Sequence, residues 1–287
     1  MRCGNLCRDY YAVRTSPVSP VRDHCAVITV ARLQVVPVKG LAALPRQQVH
    51  LGVDGVAEDR RLLLLRADGA VATMRRFPEL VSVVPDLDLA NGTLTVTLPG
   101  GRSAVSDLGS AGDLVTSHLY DRDRPGRVVP GAVSEALSGL VGEPLRLVLT
   151  ERVGLGWDEG PVSLLGRASA AAVATPPDRD HDALSTERYR MLIEVEGSAP
   201  FEEDSWVGRR VRIGQALIRV THALERCVVI NHHPRTGATD WAGLKTIVAR
   251  RGRDQLTLGV IARVDQTGVI RVGEPVEPGP AHLPPDR

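Results

Sequence analysis

The sequence predicts a mainly β protein with minor α, closed as a barrel or sandwich rather than wound from βαβ units. Short runs rich in β-branched and apolar residues recur along most of the chain, and turn dipeptides separate them. Asp68-Gly69 and Asn91-Gly92 are two such dipeptides, and both supply the left-handed backbone that a tight hairpin turn requires. Thr93-Leu94-Thr95-Val96-Thr97-Leu98 alternates polar and apolar residues, the period of a strand with one face buried.

Taken in order, residues 26–36 form the first expected strand, ended by Pro37-Val38-Lys39-Gly40. Arg61–Arg66 encloses a continuous apolar run, with Val71–Met74 as its return strand across the Asp68-Gly69 turn. Strands are next expected over 80–84 and 93–98. Gly131–Val141 reads as a short helix, with Val133, Ala136, Leu137 and Leu140 on one face. A second helix is expected over 168–174, where Ser169 in the first turn either caps the helix or offers a hydroxyl to an anion. Residues 175–183 read as a polar loop. Strands resume over 190–196, 207–220, 226–231, 256–265 and 268–272, the stretch 264–270 reading as a hairpin crossing. Residues 1–25 lack periodicity and are expected to be a disordered tail, and the five prolines from Glu274 onward predict a loosely ordered end.

Composition narrows the function classes. The 287 residues carry a formal net charge of +1, which gives no bulk attraction to nucleic acid or membrane. Lys39 and Lys245 are the only lysines, and the arginine excess reads as coding bias, so each arginine must argue from its position. No apolar run approaches a bilayer-spanning length, and charges at Arg2, Arg8, Asp9, Arg14, Arg22 and Asp23 interrupt any secretory h-region. Four cysteines (Cys3, Cys7, Cys25 and Cys227) do not make a disulfide framework, so a reducing, cytoplasmic location is expected. Cys3, Cys7, His24 and Cys25 fit zinc-site spacings poorly. Phosphate-loop, dinucleotide, zinc-protease and nucleophile-elbow motifs are all absent. His232-His233 is the one histidine cluster, and adjacent strand residues point to opposite faces, so it reads as a polar loop.

Cys227 opens the run Val228-Val229-Ile230, and a cysteine in an apolar strand is ordinarily a small buried hydrophobe. Arg226 beside it would assist a thiolate only by reaching the same side, which strand alternation opposes. Spacing alone therefore leaves the thiol ambiguous.

Arg226-Cys227 followed by His233-Pro234-Arg235-Thr236-Gly237 resembles the signature of MOSC domains, the C-terminal module of molybdenum-cofactor sulfurases. Further landmarks fall in that family's order: Pro37–Gly40, Glu58-Asp59-Arg60, Thr73–Leu80, Leu165–Ser169, Arg188-Tyr189-Arg190, Phe201–Trp206, Gly259-Val260 and Ile270–Val276. The resemblance spans residues 27 to 277. It implies an N-terminal β-barrel-like domain over 26–145, a MOSC β-barrel over 146–277 and a Pro-rich tail over 278–287. It also implies a molybdenum cofactor (molybdopterin) with Cys227 as metal ligand and catalytic centre, since a soft thiolate suits a metal already held by dithiolene sulfurs. Lys39, Gly40, Arg60, Arg167, Ser169, Arg190 and Arg226 would bind the anionic cofactor. The activity implied resembles that of the amidoxime-reducing members, which reduce N-oxygenated small molecules. Lacking a ferredoxin-like cysteine set, this sequence is expected to take electrons from a separate electron-transfer protein, with neither nucleic acid nor membrane as partner. A non-redox carrier of cofactor or sulfur is the alternative. Four positions depart from the family pattern: Gly40 for serine, Met191-Leu192 for Pro-Asn, and Glu225 where a small polar residue is common.

Overall fold

The structure, a computed structural model, describes residues 27–119, 122–174, 186–253 and 255–280. The expected N-terminal tail with Cys3, Cys7, His24 and Cys25, the polar loop 175–183 and the last seven residues of the tail lie outside the described residues.

The chain is mainly β, as the sequence predicted. The first half supplies β1 (Thr29–Val35), β2 (Leu44–Arg46), β3 (Gln48–Gly52), β4 (Gly55–Val56), β5 (Leu62–Arg66), β6 (Val84–Asp88), β7 (Thr93–Thr97), β8 (Ser103–Asp107), β9 (Leu114–Leu119), β10 (Arg122–Val129), α1 (Ala132–Val141) and β11 (Leu145–Thr150). The second half supplies β12 (Val162–Gly166), α2 (Arg167–Val173), β13 (Ile193–Glu196), β14 (Arg210–Ile213), β15 (Ala216–Glu225), α3 (Gly243–Arg251), β16 (Thr257–Gln266), β17 (Gly268–Arg271) and β18 (Val276–Pro278).

Two lobes result. In one, the sheet β5-β11-β10-β9 and the meander β6-β7-β8 enclose an apolar core with Val133 and Leu137 of α1. The four leucines of β5 are buried on both faces: Leu62 and Leu64 enter this core, while Leu63 and Leu65 pack with Val71, Leu119 and Val148. That double burial explains a continuous rather than alternating apolar run. The other lobe is an eight-stranded sheet in the order β18-β14-β15-β16-β12-β13-β1-β2, packed around Trp206.

The strand pairings cross the expected boundary at 145/146. β1 pairs antiparallel with β13, and β3 pairs with β17, so residues 29–52 belong to the sheets of the second half. The chain changes lobe at Pro37–Gly40, where the Val36 N–H donates to Asp59 Oδ1 (2.7 Å) and the Lys39 N–H to the Leu62 carbonyl (2.9 Å). Lys39 is thereby fixed at the seam.

Several local expectations need correction. Residues 80–84 are not a strand: Pro78 opens a 3-10 turn over Pro78–Ser82 that buries Leu80 and Val81, and β6 begins at Val84. The Asp68-Gly69 turn forms, yet Val71 returns only as an isolated bridge to Leu65. Residues 207–220 divide into the hairpin β14–β15, which continues to Glu225. Residues 264–270 are not a hairpin, because Ile270 joins the core beside Val49 and Leu51 and draws β17 onto β3. Val276–Pro278, expected in the loose tail, pairs with β14 and buries Val276. Helix α3 was not expected, since only Gly243 and Ile247 of its nine residues are buried and no apolar stripe marks it. Among the described residues no helix is long and apolar enough to cross a membrane.

Candidate functional site

A cavity of about 200 Å³ lies at the seam of the two lobes. Six of the residues singled out from sequence line it together: Lys39, Gly40, Arg60, Arg190, Arg226 and Cys227. Arg188, Asp158, Met191, Leu192 and Glu225 line it as well.

The first wall belongs to the lobe crossing. Lys39 is buried, and its Nζ donates to Asp158 Oδ1 (2.7 Å) and to the Gly156 carbonyl (3.2 Å). Burial pushes the Lys39 amine below its ordinary value, with Asp158 opposing. Burial tends to raise Asp158, but Lys39, Arg60 and Arg124 outweigh it and hold the carboxyl below the usual range. Arg60 donates from Nη1 to Asp59 Oδ2 (2.5 Å) and from Nη2 to the Arg190 carbonyl (3.2 Å). Burial works against its charge, and Asp59 and Asp158 more than restore it. Gly40 sits at φ +97°, where a serine would be strained although space for its Cβ exists. The backbone, rather than a lost hydroxyl, accounts for glycine at this position.

The second wall belongs to 188–192 and 225–230. Arg32 Nη2 reaches both Thr186 Oγ1 (2.6 Å) and the buried Glu194 (2.5 Å), which anchors the 3-10 turn Thr186–Tyr189 ahead of this wall. Arg190 donates to the Leu41 carbonyl (2.7 Å), and burial followed by repulsion from Arg60 pushes its guanidinium down. Arg60 and Arg190 both hold positive φ, at 50° and 55°. Two of the three described non-glycine residues in that region thus meet in one cavity, strain of the kind that accompanies functional sites.

Arg226 donates from Nη2 to the Tyr189 carbonyl (2.7 Å) and from Nη1 to Met191 Sδ (3.3 Å), and lies 5.3 Å from the Tyr189 ring centroid. Burial pushes its guanidinium down and the Tyr189 hydroxyl up to about 12. Arg188 is fully buried, pairs with Asp240 (3.2 Å), stacks on Trp241 and donates to the Ile230 carbonyl (3.0 Å). That last bond curls the segment after Glu225 into a 3-10 turn over Val228–Asn231 in place of the strand expected over 226–231.

The consequence falls on Cys227. It stands at the start of that turn with an exposed thiol, not buried in a strand. The following turn closes through the Gly237 N–H to the His233 carbonyl (3.0 Å), and a Cβ at Gly237 would come 2.1 Å from the Pro78 carbonyl oxygen. Two stretches that carried the sequence resemblance, 233–237 and 73–80, therefore touch. His233 Nδ1 accepts from the backbone N–H groups of Arg235 and Thr236, and His232 contacts Thr239, so the doublet serves the turn.

Arg167 and Ser169 do not line the cavity. Ser169 is buried at the start of α2, where its hydroxyl donates to Glu203 (2.7 Å) and accepts from the Phe201 N–H (2.7 Å). Burial raises the carboxyl of Glu203. Arg167 turns to Glu194 and Glu196 at 3.4 and 3.5 Å. Both residues tie α2 to its neighbours. Arg188 and Asp158 were missed as site residues; Arg188 sits in a motif already noted, whereas no spacing signal marks Asp158.

The cavity suits an anion with a soft centre. Six cationic side chains line it against four carboxylates. The Nε atoms of Arg188 and Arg226 and Nε1 of Trp157 are buried without a hydrogen-bond partner, so donors are left for a ligand. Among the described residues no three His, Cys, Asp or Glu side chains converge on a metal position.

Residues 27–144 match the model of the MOSC N-terminal beta barrel domain, and residues 151–277 match that of the MOSC domain. The chain belongs to the MOSC family. Relatives of this MOSC protein include mitochondrial amidoxime-reducing component 1 of Danio rerio, 30% identical over 250 residues, covering 77% of this chain and 74% of that one. The Xenopus laevis component 1 is 27% identical, covering 86% of this chain and 81% of that one. The molybdenum cofactor sulfurase of Danio rerio is 26% identical over 87% of this chain, which spans 34% of that protein.

Proposed function

We propose that this MOSC protein holds a molybdenum cofactor in the seam cavity and reduces N-oxygenated small molecules there, with electrons from a separate electron-transfer protein. The observation that carries the reading is the exposed thiol of Cys227 on the lining of a cavity rich in buried cations. Amidoxime-reducing relatives aligned over most of both chains support the same chemistry.

Cys227, as thiolate, would be the protein's ligand to the metal, and coordination would fix it deprotonated. Lys39, Arg60, Arg190 and Arg226 would neutralise the phosphate and ring of the cofactor. The free Nε groups of Arg188 and Arg226 supply donors that burial has already desolvated. When bound, the cofactor supplies two-electron, oxygen-accepting chemistry. The reaction balances as amidoxime plus two electrons and two protons giving amidine and water. Protein from a cofactor-producing host should contain molybdenum and, with a chemical reductant, convert benzamidoxime to benzamidine. Cys227→Ser should lose both. Wild type without molybdenum would refute the reading.

A carrier of cofactor or sulfur is the second reading, favoured by one feature: Met191 and Leu192 are both almost fully buried and give the cavity an apolar wall. Stoichiometric molybdenum with no amidoxime turnover would select it.

A further inference from the structure

Every carboxylate on the cavity lining has a side-chain partner among the described residues, with one exception. Asp59 pairs with Arg60 at 2.5 Å, Asp158 with Lys39 at 2.7 Å, and Glu159 contacts His222 at 3.0 Å. Glu225 lines the same cavity, is exposed, and has no ion pair or side-chain hydrogen bond among the described residues. Its position relative to the thiol follows from the backbone. Glu225 ends β15, paired with Thr257, and Cys227 remains extended at φ −111° and ψ 174°. Exposure alternates along the three residues: Glu225 exposed, Arg226 buried, Cys227 exposed. The side chains of Glu225 and Cys227 therefore leave the chain on one side and that of Arg226 on the other.

We infer that Glu225 is a specificity-determining residue that favours substrates carrying a cationic group over those carrying an anionic one. This rests on the reductase reading. An unpaired carboxylate next to an anionic cofactor is unfavourable unless a positive charge arrives with the substrate. The products of the reaction meet that need. Loss of oxygen from an amidoxime gives an amidine, which takes up a further proton to become an amidinium. Glu225 accepts hydrogen bonds from that cation, or from a cationic group already present on the substrate, a charge-assisted contact that an anionic substrate does not offer. Arg75 is the competing recognition element: it also lines the cavity, is exposed and lacks a partner among the described residues, and by itself it would favour acidic substrates.

The test compares kcat/KM for benzamidoximes bearing para-trimethylammonium or para-carboxylate groups, in wild type, Glu225→Gln and Arg75→Gln, each at matched molybdenum content. Glu225→Gln should lower the value for the cationic substrate and raise that for the anionic one, each about threefold, so the cation-to-anion ratio falls about tenfold. A ratio moved less than about twofold, or moved by Arg75→Gln alone, overturns the assignment. Calorimetric titration of the same proteins with benzamidine and with benzoate requires no turnover. Absence of turnover with every substrate in molybdenum-loaded wild type would refute the reductase reading, and the titration would still decide Glu225. Weaker benzamidine binding in Glu225→Gln supports it, and unchanged binding refutes it.

Discussion

The two walls of the seam cavity stabilise their positive charge differently. On the wall of Lys39 and Arg60, each cation has a carboxylate within 2.7 Å, and the guanidinium of Arg60 keeps its proton more firmly than in water. On the wall of Arg190 and Arg226, carbonyl oxygens, a thioether and an aromatic face stand in for carboxylates, and burial pushes both guanidiniums down. The first wall is a set of closed ion pairs, and Arg60 reaches the second wall through the Arg190 carbonyl. The second pairs Arg188 with Asp240 but leaves Arg190 and Arg226 without a carboxylate partner, and it is the wall that presents Cys227. An incoming anion is therefore worth more to the second wall than to the first.

The largest expected effect tests the ion pairs of the first wall. Arg60→Met strands the buried Asp59 and should cost about 3–5 kcal/mol in urea unfolding. Arg226→Met strands no carboxylate, so its stability should change by about 1 kcal/mol or less while cofactor retention through gel filtration falls about tenfold. Equal destabilisation by the two substitutions would erase the contrast between the walls. Gly40→Ser, which restores the family's hydroxyl at φ +97°, should cost about 1–2 kcal/mol and not improve cofactor retention.

The smallest effect is one of pH. Asp158 titrates below its ordinary value in the folded protein, so its contribution is present above pH 3.8 and lost as pH falls through the lower folded value. Its side chain is 45% exposed, which keeps that contribution to about 1 kcal/mol or less. Asp158→Asn should flatten the acid limb of stability below pH 3.8, measured by unfolding across pH. The same substitution removes the partner that raises Lys39, so the Lys39 amine should lose its proton at lower pH still. An unchanged acid limb would mean that the Asp158–Lys39 pair adds nothing to stability.

Elements that pattern locally were legible in sequence: the alternation of β7, the apolar run of β5, and α1 with its buried Val133 and Leu137. Partner choice was not. β17 looked like the return arm of β16, and only the core position of Ile270 beside Val49 and Leu51 sends it to β3. Six residues singled out at turns with recognisable spacing line one cavity, while Ser169 and Arg167 lie outside it, held by Glu203 and Glu194 from distant parts of the chain. The exposure of Cys227 was likewise hidden. It depends on Arg188 drawing the Ile230 carbonyl, a contact across 42 residues that no local pattern encodes.

X-ray absorption at the molybdenum edge tests the central claim most directly, on protein from a cofactor-producing host and on its Cys227→Ser variant. The proposal predicts that the wild-type metal has one more sulfur neighbour than the metal retained by the variant. Identical sulfur shells in the two proteins, or wild type that carries no molybdenum, would contradict it.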